Sequence, residues 1–557
     1  KINPNNSFSL VFMPNFTGVN NVLSSVDSRD SSNFVVTQSQ FYEQRQQLIY
    51  QLKTEHYIPT IKTKIDFSAS YTNGKSSAPD FKNVQYLKDP FTDFYQIGPE
   101  IRDGIHRYYR YLSDDLFDSQ LSFEIPIKKR DYLVRKVKFG GAYQRNERKS
   151  DQYDYSIDFG NYSALTMKND DLEGLFNLNN FNLYSFTDIY SVDHHTIDIF
   201  YNEAASDANH TFGNSSIAAG FIMTDYSISD QWRVSGGLRV ENAVIETDVV
   251  KFDSLNYKEN DPRRNYRDGL PLANPGKLNE TSILPSLNVI YKWKKSEDLE
   301  LNARFNFSQS IARPSIRELS EVAVFDYEYR AFVYGNSDLK MAHVNNYDLR
   351  LESYFKSGEN ISISLFYKTF KDHIELVKSV GYSWQNVDNS QVAGIELEGR
   401  KKLWKNIDFR ANISLIYSQT EFVRNRLDIS GGVKNYIPQD TVKRSMFGQA
   451  PFVINCIVSY TADSLGLTAT LSYNVQGSRL VIAADVKEIP DIYEQPRHLL
   501  DFKISKSIGK HFSINFTVRD IFNSPVQRSY KYTNGDILDY DTYRYGTNYV
   551  LGFVYKI

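Results

Sequence analysis

The histidines and carboxylates that could bind a metal gather in one stretch of the chain. Asp193, His194 and His195 are consecutive, Asp198 follows, and His210 lies further on. Imidazole and carboxylate groups are ligands for zinc and other divalent metals. However, adjacent residues of an extended segment point to opposite sides. We therefore interpret the cluster as an ordinary polar loop and expect neither a metal site nor a cofactor.

Other catalytic or metal-binding patterns are missing from the sequence. Asp114-Asp115 and Asp170-Asp171 offer oxygen ligands for calcium, but they lack the spaced ligands of a dedicated calcium loop. No G-x-S-x-G, H-E-x-x-H or phosphate-binding loop occurs, and the 9 His carry no signature of a catalytic triad. The single Cys456 excludes a disulfide framework and a cysteine-based zinc or iron–sulfur site. The sequence predicts a protein that is not an enzyme.

The composition describes a folded chain that is rich in aromatic rings. Among 557 residues, 40 Tyr, 36 Phe and 4 Trp bring the aromatic share to 14%, whereas all apolar residues together reach only 41%. Disordered chains lack aromatic residues, so disorder is excluded. The 64 basic and 67 acidic residues nearly cancel to a net charge of -3. This balance excludes the basic footprint of a nucleic-acid-binding protein.

Apolar and polar residues alternate with a period of two from end to end. Between Leu299 and Phe307 every second residue is apolar, and the residues between them are Glu, Asn and Arg. Segments that begin at Ile407, Leu465 and Phe512 repeat the alternation. Successive side chains of a strand point to opposite faces. Each segment therefore predicts a strand with one apolar side and one polar side.

These segments have the length of membrane-spanning strands. They run over about 9–12 residues, whereas a tilted strand needs about 9–11 to cross a bilayer and ordinary strands cluster near five or six. Aromatic residues often lie near their ends, as Tyr367, Tyr417 and Tyr473 do, which suits the membrane–water interface. The longest apolar runs, such as Leu10–Met13, are far too short for a spanning helix. The sequence predicts an all-β transmembrane antiparallel β-barrel.

Residues 1–557 are expected to form this barrel as a single domain of about 22 strands, with short periplasmic turns and long extracellular loops. Asn73-Gly74 and Asn534-Gly535 predict tight hairpin turns, and Asp253–Lys277 predicts a long polar loop. Gln38–His56 is compatible with either a strand or a helix. The alternative is a soluble protein with half-exposed sheets, but a propeller would need a regular blade repeat, which the sequence lacks.

Nine short motifs in the middle and C-terminal half resemble those of one family in its order along the chain. They are Trp232–Glu241 (WRVSGGLRVE), Leu284–Asn288 (LPSLN), Phe307–Leu319 (FSQSIARPSIREL), Gly335–Lys340 (GNSDLK, with Ser337 in place of the usual Pro), Asn346–Glu352 (NYDLRLE), Phe366–Glu375 (FYKTFKDHIE), Val392–Gly399 (VAGIELEG), Gly448–Asn455 (GQAPFVIN) and Val518–Asn523 (VRDIFN). Together they resemble the barrel domain of TonB-dependent outer-membrane transporters, in the form common in Bacteroidetes-type Gram-negative bacteria. Residues 1–200 match this family only by pattern.

The resemblance implies import of a bulky nutrient across the outer membrane: a metal chelate, cobalamin, an oligosaccharide or a peptide. It also implies contact with outer-membrane lipid and lipopolysaccharide. A TonB-type inner-membrane motor acts in this family on a segment before an N-terminal plug domain. A surface lipoprotein or other outer-membrane subunits are further expected partners.

The sequence departs from the family pattern at its ends. We expect the plug and the energy-coupling segment to lie outside this chain, because nothing before Phe8 is long enough to be either. The last residue is Ile557, where the family commonly has an aromatic residue, although Tyr555 lies on the same face. An alternative function is a structural, non-transporting barrel subunit of a multiprotein outer-membrane complex, and a third is an open diffusion porin.

If the chain transports, its ligand contacts are expected on lumen-facing strand positions and at the outer rim. The side chains that we predict for these positions combine charge with hydrogen-bonding capacity. They are Arg304, Arg313, Arg410, Asn412, Asn474 and Arg479. The plainer interpretation is that they only line the wall and contact water or a plug.

Overall fold

The structure, a computed structural model, describes most of the chain. The described residues are 3–28, 34–88, 95–97, 105–127, 135–159, 165–167, 183–187, 193–197, 199–203, 210–249, 275–296, 298–326, 331–378, 381–428, 435–487, 489–532 and 535–555. Most of the predicted loop from Asp253 to Lys277 lies outside them, as does the Asp170-Asp171 pair.

Alternating residues form strands throughout. The strands are β1 (Asn6–Ser28), β2 (Phe34–Ile58), β3 (Thr63–Lys88), β4 (Tyr95–Ile97), β5 (Ile105–Pro126), β6 (Arg135–Phe159), β7 (Leu165–Met167), β8 (Leu183–Thr187), β9 (Asp193–Ile197), β10 (Ile199–Glu203), β11 (His210–Ser227), β12 (Trp232–Val249), β13 (Gly276–Lys295), β14 (Leu299–Ala312), β15 (Ala323–Asp326), β16 (Ala331–Tyr334), β17 (Ala342–Phe355), β18 (Asn360–Lys378), β19 (Tyr382–Trp404), β20 (Ile407–Asp428), β21 (Asn435–Arg444), β22 (Phe452–Ala462), β23 (Leu467–Gln476), β24 (Arg479–Ala484), β25 (Asp491–Glu494), β26 (Arg497–Ile508), β27 (Phe512–Arg519), β28 (Val526–Lys531), β29 (Ile537–Tyr543) and β30 (Asn548–Tyr555). Helix α1 (Ile316–Leu319) and a 3₁₀ turn (Asp463–Leu465) complete the described elements.

One antiparallel ladder forms the wall of the molecule. Its order is β1-β2-β3-β5-β6-β11-β12-β13-β14-β17-β18-β19-β20-β22-β23-β26-β27-β30. Each wall strand pairs with the wall strand before it in the chain, so the meander confirms the predicted antiparallel architecture. In the described residues the wall has these eighteen strands, where the sequence predicts about 22. The shorter strands that the wall omits are hairpins and extensions above it.

The connections differ in length at the two ends of the wall. Short turns join β2 to β3, β11 to β12, β17 to β18, β19 to β20 and β26 to β27. This end is the short-turn end. At the opposite, long-loop end the chain forms the small hairpins β15–β16, β24–β25 and β28–β29. The asymmetry agrees with the predicted short periplasmic turns and long extracellular loops.

Exposed apolar side chains form continuous rows around the outer face of the wall. One row joins Phe305, Leu349, Leu365, Ile395 and Leu415, each directly opposite the next on neighbouring strands. These side chains are 40–54% exposed although they are apolar. Such rows are the surface that a lipid bilayer covers. No helix in the described part of the chain is both long and apolar enough to cross a membrane.

Aromatic residues border the apolar band at both ends. Near the long-loop end, the Tyr347 ring lies 5.1 Å from Phe307 and 6.3 Å from Tyr367. Near the short-turn end, Trp293 and Trp404 are strongly exposed. From Ile407 to Tyr417, a strand tilted ~45° and rising about 3.3 Å per residue spans roughly 23 Å, which matches the ~25 Å apolar band of such barrels.

The ladder ends at β1 and β30, and the described strand pairs include none between these two strands. The two ends nevertheless come close at the long-loop end. Residues 21–26 of β1 and residues 540–545 line one cavity of about 430 Å³. The curved wall therefore returns toward its own first strand.

Two local predictions have different outcomes. Gly535 has a φ of +92° in the turn between β28 and β29, in agreement with the predicted hairpin. The tight turn predicted at Asn73-Gly74 is wrong, because both residues lie inside β3 and face Asp115 and Asp114 on β5. The tall strands β3 and β5 pair straight through this dipeptide. Gln38–His56, which the sequence leaves open, lies within strand β2.

The two faces of β23 provide a test of the lipid-facing surface. Leu471 is exposed on the outer face, and Ser472 next to it points inward. We predict that Leu471→Arg lowers the free energy of unfolding by about 2–4 kcal/mol, because it places a charge in the apolar band. Urea unfolding in lipid vesicles measures the effect. Ser472→Arg is the matched control and should change stability by less than about 1 kcal/mol; equal losses in both variants would contradict the assignment of faces.

Candidate functional site

The inward face of the wall carries charges that neutralise one another. Arg304 Nε donates to Glu352 Oε2 over 2.8 Å. Arg350 lies between two carboxylates, with its Nε 2.7 Å from Glu352 Oε1 and its Nη2 2.9 Å from Glu398 Oε2. These residues come from β14, β17 and β19. The chain of ion pairs keeps this surface wet but nearly neutral.

A row of amides continues the polar inner surface across the next strands. Asn412, Asn455 and Asn474 are opposite one another on β20, β22 and β23, and Asn474 Nδ2 donates to Asn455 Oδ1 over 2.5 Å. Arg410 joins Asn412 at the edge of a cavity of about 240 Å³ that Glu398 also lines. Three predicted positions, Arg410, Asn412 and Asn474, thus lie on one stretch of the inner wall.

The other predicted arginines lie at the long-loop end. Arg313 follows the last residue of β14, where Pro314 ends the strand because proline cannot donate to the ladder. Its guanidinium pairs with Glu241, which also accepts from Arg239 Nη2 over 2.7 Å. Burial and the neighbouring Arg239 lower the pKa of Arg313. Arg479 Nη2 donates to Glu494 Oε1 over 3.0 Å across the β24–β25 hairpin.

The segment after Arg313 anchors the rim. Ser315 accepts from the Glu318 backbone N–H, and the Glu318 side chain accepts from the Ser315 N–H, which together form a capping box for α1. Ile316 and Leu319 are buried in an apolar cluster on the wall. A Cβ at Gly213 would lie 2.2 Å from the Ile316 side chain, so only glycine fits there. This motif builds the barrel rim.

The small hairpins at the long-loop end fold into a packed roof. β24 pairs in parallel with the end of β18, and β16 pairs in parallel with the start of β19. Two buried apolar clusters result: Val377, Val387, Phe422, Leu480 and Ala483 in one, and Val333, Leu376, Tyr382, Ile482 and Ile492 in the other. Burial raises the pKa of Tyr382. The mouth is therefore lined by a structured layer.

A buried ion pair fastens this roof to the wall. Glu375 is fully buried on β18, eight residues beyond the Tyr367 ring at the membrane boundary. Its carboxylate accepts from Arg444 Nη2 over 2.5 Å and from the Phe447 backbone N–H over 3.0 Å, and the His373 Nε2 lies 2.8 Å away. Burial alone raises the pKa of Glu375, but the His373 hydrogen bond and the Arg444 charge outweigh it and hold the pKa at about 2.

Cations stacked on tyrosines cover the mouth beside this pair. Arg528 lies 5.5 Å from the Tyr540 ring and 5.7 Å from the Tyr543 ring, and its Nε donates to Asp541 over 2.8 Å. Lys378 Nζ lies 5.7 Å from the Tyr540 ring. Such contacts hold the hairpins together and present phenol rings, hydroxyls and positive charge at the entrance.

Sequence reasoning missed the carboxylates Glu241, Glu352 and Glu375 and their partner Arg444. The alternation places Glu352 on the polar side of its strand, but only the strand register shows that it faces Arg304. The side chains of Asp193 to Asp198 lie outside the described residues, whereas His210 Nδ1 is 3.1 Å from Asp151 Oδ1. Within the described residues, no group of three or more His, Cys, Asp or Glu side chains is arranged to hold a metal.

Comparison with known proteins identifies the family. Residues 15–521 match the family model described as TonB dependent receptor-like, beta-barrel. The chain belongs to the TonB-dependent receptor β-barrel family and is an outer-membrane protein. No curated protein sequence matches the chain.

Solved structures share the fold at low sequence identity. The ferric-catecholate import receptor Fiu from E. coli K12 has a TM-score of 0.51 and 9% identity, covering 99% of this chain and 81% of that one. The siderophore receptor PiuA from Acinetobacter baumannii has a TM-score of 0.49 and 11% identity, covering 98% and 81%. The alcaligin receptor FauA from Bordetella pertussis has a TM-score of 0.47 and 11% identity, covering 91% of this chain, which spans 65% of that receptor.

The buried pair predicts a large effect of one isosteric change. Glu375→Gln leaves the Arg444 charge buried without a counter-charge, so we expect a loss of about 3–5 kcal/mol in roof stability. Emission of Trp384, which packs against the roof, reports the loss during urea unfolding after Trp232, Trp293 and Trp404 are changed to Phe. The control Glu494→Gln affects a more exposed pair and should cost less than about 1 kcal/mol. Similar losses in both variants would show that burial of the Glu375 pair is not decisive.

The same pair predicts an acid-sensitive roof. The pKa of Glu375 is lower in the folded protein, about 2, than its usual 4.5, so its stabilising effect is full above pH ~4.5. It is lost as the pH falls from there toward 2, because protonation removes the charge that faces Arg444. Trp384 emission against pH measures the transition. The Glu375→Gln variant should lack this component, and an unchanged profile in that variant would refute the assignment.

Proposed function

We propose that this chain forms the wall of an importer that takes a bulky hydrophilic nutrient across the outer membrane, driven by a TonB-type inner-membrane motor. The observation that carries the proposal is the inner surface, where Arg304, Arg350, Glu352 and Glu398 pair with one another. A surface of paired charges binds a polar solute weakly enough to release it.

Membership of the TonB-dependent receptor family supports the importer over the two other functions. A barrel with a wide lumen needs a plug to keep the membrane sealed. We propose that a plug occupies the lumen and contacts the paired charges of the inner wall. In an intact protein, the roof built around Glu375 and Arg444 would then face the arriving nutrient.

The substrate class is proposed from the size and polarity of the path: a metal chelate, cobalamin, an oligosaccharide or a peptide. The E. coli protein that shares the fold is a ferric-catecholate import receptor, so a ferric chelate is the first class to test. The tyrosines and cations at the mouth, such as Tyr540 and Arg528, suit a ligand with acidic or phenolic oxygens. The six predicted positions stay predictions as ligand contacts.

Uptake in the native bacterium tests the function. Cells that lack this protein, and cells that carry it, receive a labelled member of each of the four classes. We predict that one class enters only cells with the protein and that a protonophore stops its entry, because the motor draws on the proton gradient. Uptake that persists after the gradient collapses would indicate a porin.

A structural subunit predicts another pattern: loss of the protein leaves uptake of all four classes unchanged and disturbs a membrane complex instead. Intact-mass measurement and N-terminal sequencing of the native polypeptide then show whether the plug belongs to the same molecule. Planar-bilayer recordings complete the comparison, since a plugged importer is closed and a diffusion porin is open.

A further inference from the structure

A groove rich in tyrosine lies on the outer side of the wall, away from the lumen. Its lining is Arg107, Tyr109, Tyr111, Tyr153 and Tyr155, and its volume is about 470 Å³. The residues come from the upper parts of β5 and β6, where Tyr109 is opposite Tyr153 and Arg107 is opposite Tyr155. The import path described above does not use this groove.

Strand alternation shows that the groove faces outward. Tyr109 and Tyr111 are separated by even intervals from Phe117 and Leu121, which belong to the exposed apolar face of β5. The residues between them, such as Tyr108, point inward and are buried. The groove therefore continues the lipid-facing side of the wall, above the bilayer.

The height of the groove places it in the polar layer outside the outer leaflet. The upper boundary of the apolar band lies near Phe117, where the neighbouring Tyr71 hydroxyl donates to Asp115 over 2.7 Å. From Phe117 to Tyr111 and on to Arg107, a tilted strand rises roughly 14–23 Å at about 3.3 Å per residue. In the outer membrane, this layer holds the sugars of lipopolysaccharide.

The charges around the groove are already paired within the protein. Arg107 Nε lies 2.6 Å from Asp80 Oδ1, and Lys149 Nζ lies 3.2 Å from Asp151 Oδ2. The groove therefore offers little net charge to a phosphate. It does offer ring faces and phenol hydroxyls, with the Tyr109 and Tyr155 rings 5.9 Å apart and nearly perpendicular. Aromatic ring faces carry partial negative charge and attract the C–H face of a sugar ring, while hydroxyls bind its rim.

We propose that this tyrosine groove binds a sugar unit of the core oligosaccharide of lipopolysaccharide. Its volume is in the range of small-molecule sites. A protein partner typically buries ~800 Å² on each side, far more than five side chains present. Binding there holds lipopolysaccharide against the tall part of the wall.

The test measures binding of three probes to the purified protein in detergent. The probes are rough-type lipopolysaccharide with a complete core, deep-rough lipopolysaccharide without the outer core, and free core oligosaccharide released by mild acid. We expect the wild type to bind the complete-core form more tightly than the deep-rough form. We expect Tyr109→Ala with Tyr153→Ala to weaken complete-core binding about tenfold, since each ring contact contributes about 0.5–1.5 kcal/mol.

Matched variants separate ring contacts from folding defects. Tyr109→Phe with Tyr153→Phe keeps the rings and should retain most of the binding. Tyr532→Ala removes an exposed tyrosine from the β28–β29 hairpin and should leave binding unchanged. Heat-modifiable migration on gels confirms that each variant is folded, and the Phe pair serves as the test if the Ala pair does not fold.

Three results would overturn the proposal. The first is equal binding of complete-core and deep-rough lipopolysaccharide by the wild type. The second is binding of the free oligosaccharide alone, which would make the groove a site for soluble sugars. The third is capture of a protein subunit, without lipopolysaccharide, by a photo-crosslinker at Tyr111 in intact cells.

Discussion

Every backbone N–H and C=O group inside a bilayer needs a partner within the protein, because lipid offers none. This chain meets that constraint by pairing each wall strand with the next along the sequence, from β1 to β30. A strand then has one face toward lipid and one toward the interior. The outer rows of apolar residues, the aromatic borders and the polar inner wall all follow from this arrangement.

The same alternation separates structure from function. Residues of the outer face, such as Leu365 and Leu415, hold the wall in the membrane, whereas inward residues such as Arg350 and Glu352 form the path. At the long-loop end the strands continue beyond the bilayer, so both faces meet polar surroundings. The inner side there builds a packed roof around Glu375, and the outer side builds the tyrosine groove. Two different ligand surfaces thus arise from extensions of one sheet.

The sequence alone predicts what depends on neighbouring residues and leaves out what depends on pairing across the fold. Alternation is local, so the strands, their faces and the membrane assignment can be predicted. Asn73-Gly74 looks like a turn, but its position inside β3 depends on how far β5 extends beside it. Glu375 and Arg444 are 69 residues apart in the sequence. Their contact requires the roof hairpins to fold back, which no local pattern encodes.

Spin labels placed one at a time along residues 360–367 of β18, after Cys456→Ser, test the two-faced wall most directly. In lipid vesicles, collision rates with oxygen report exposure to lipid, and collision rates with a water-soluble nickel complex report exposure to water. The account predicts high oxygen rates at positions 361, 363, 365 and 367, and high nickel rates at the positions between them. Rates that do not alternate, or that show both faces in water, would contradict it.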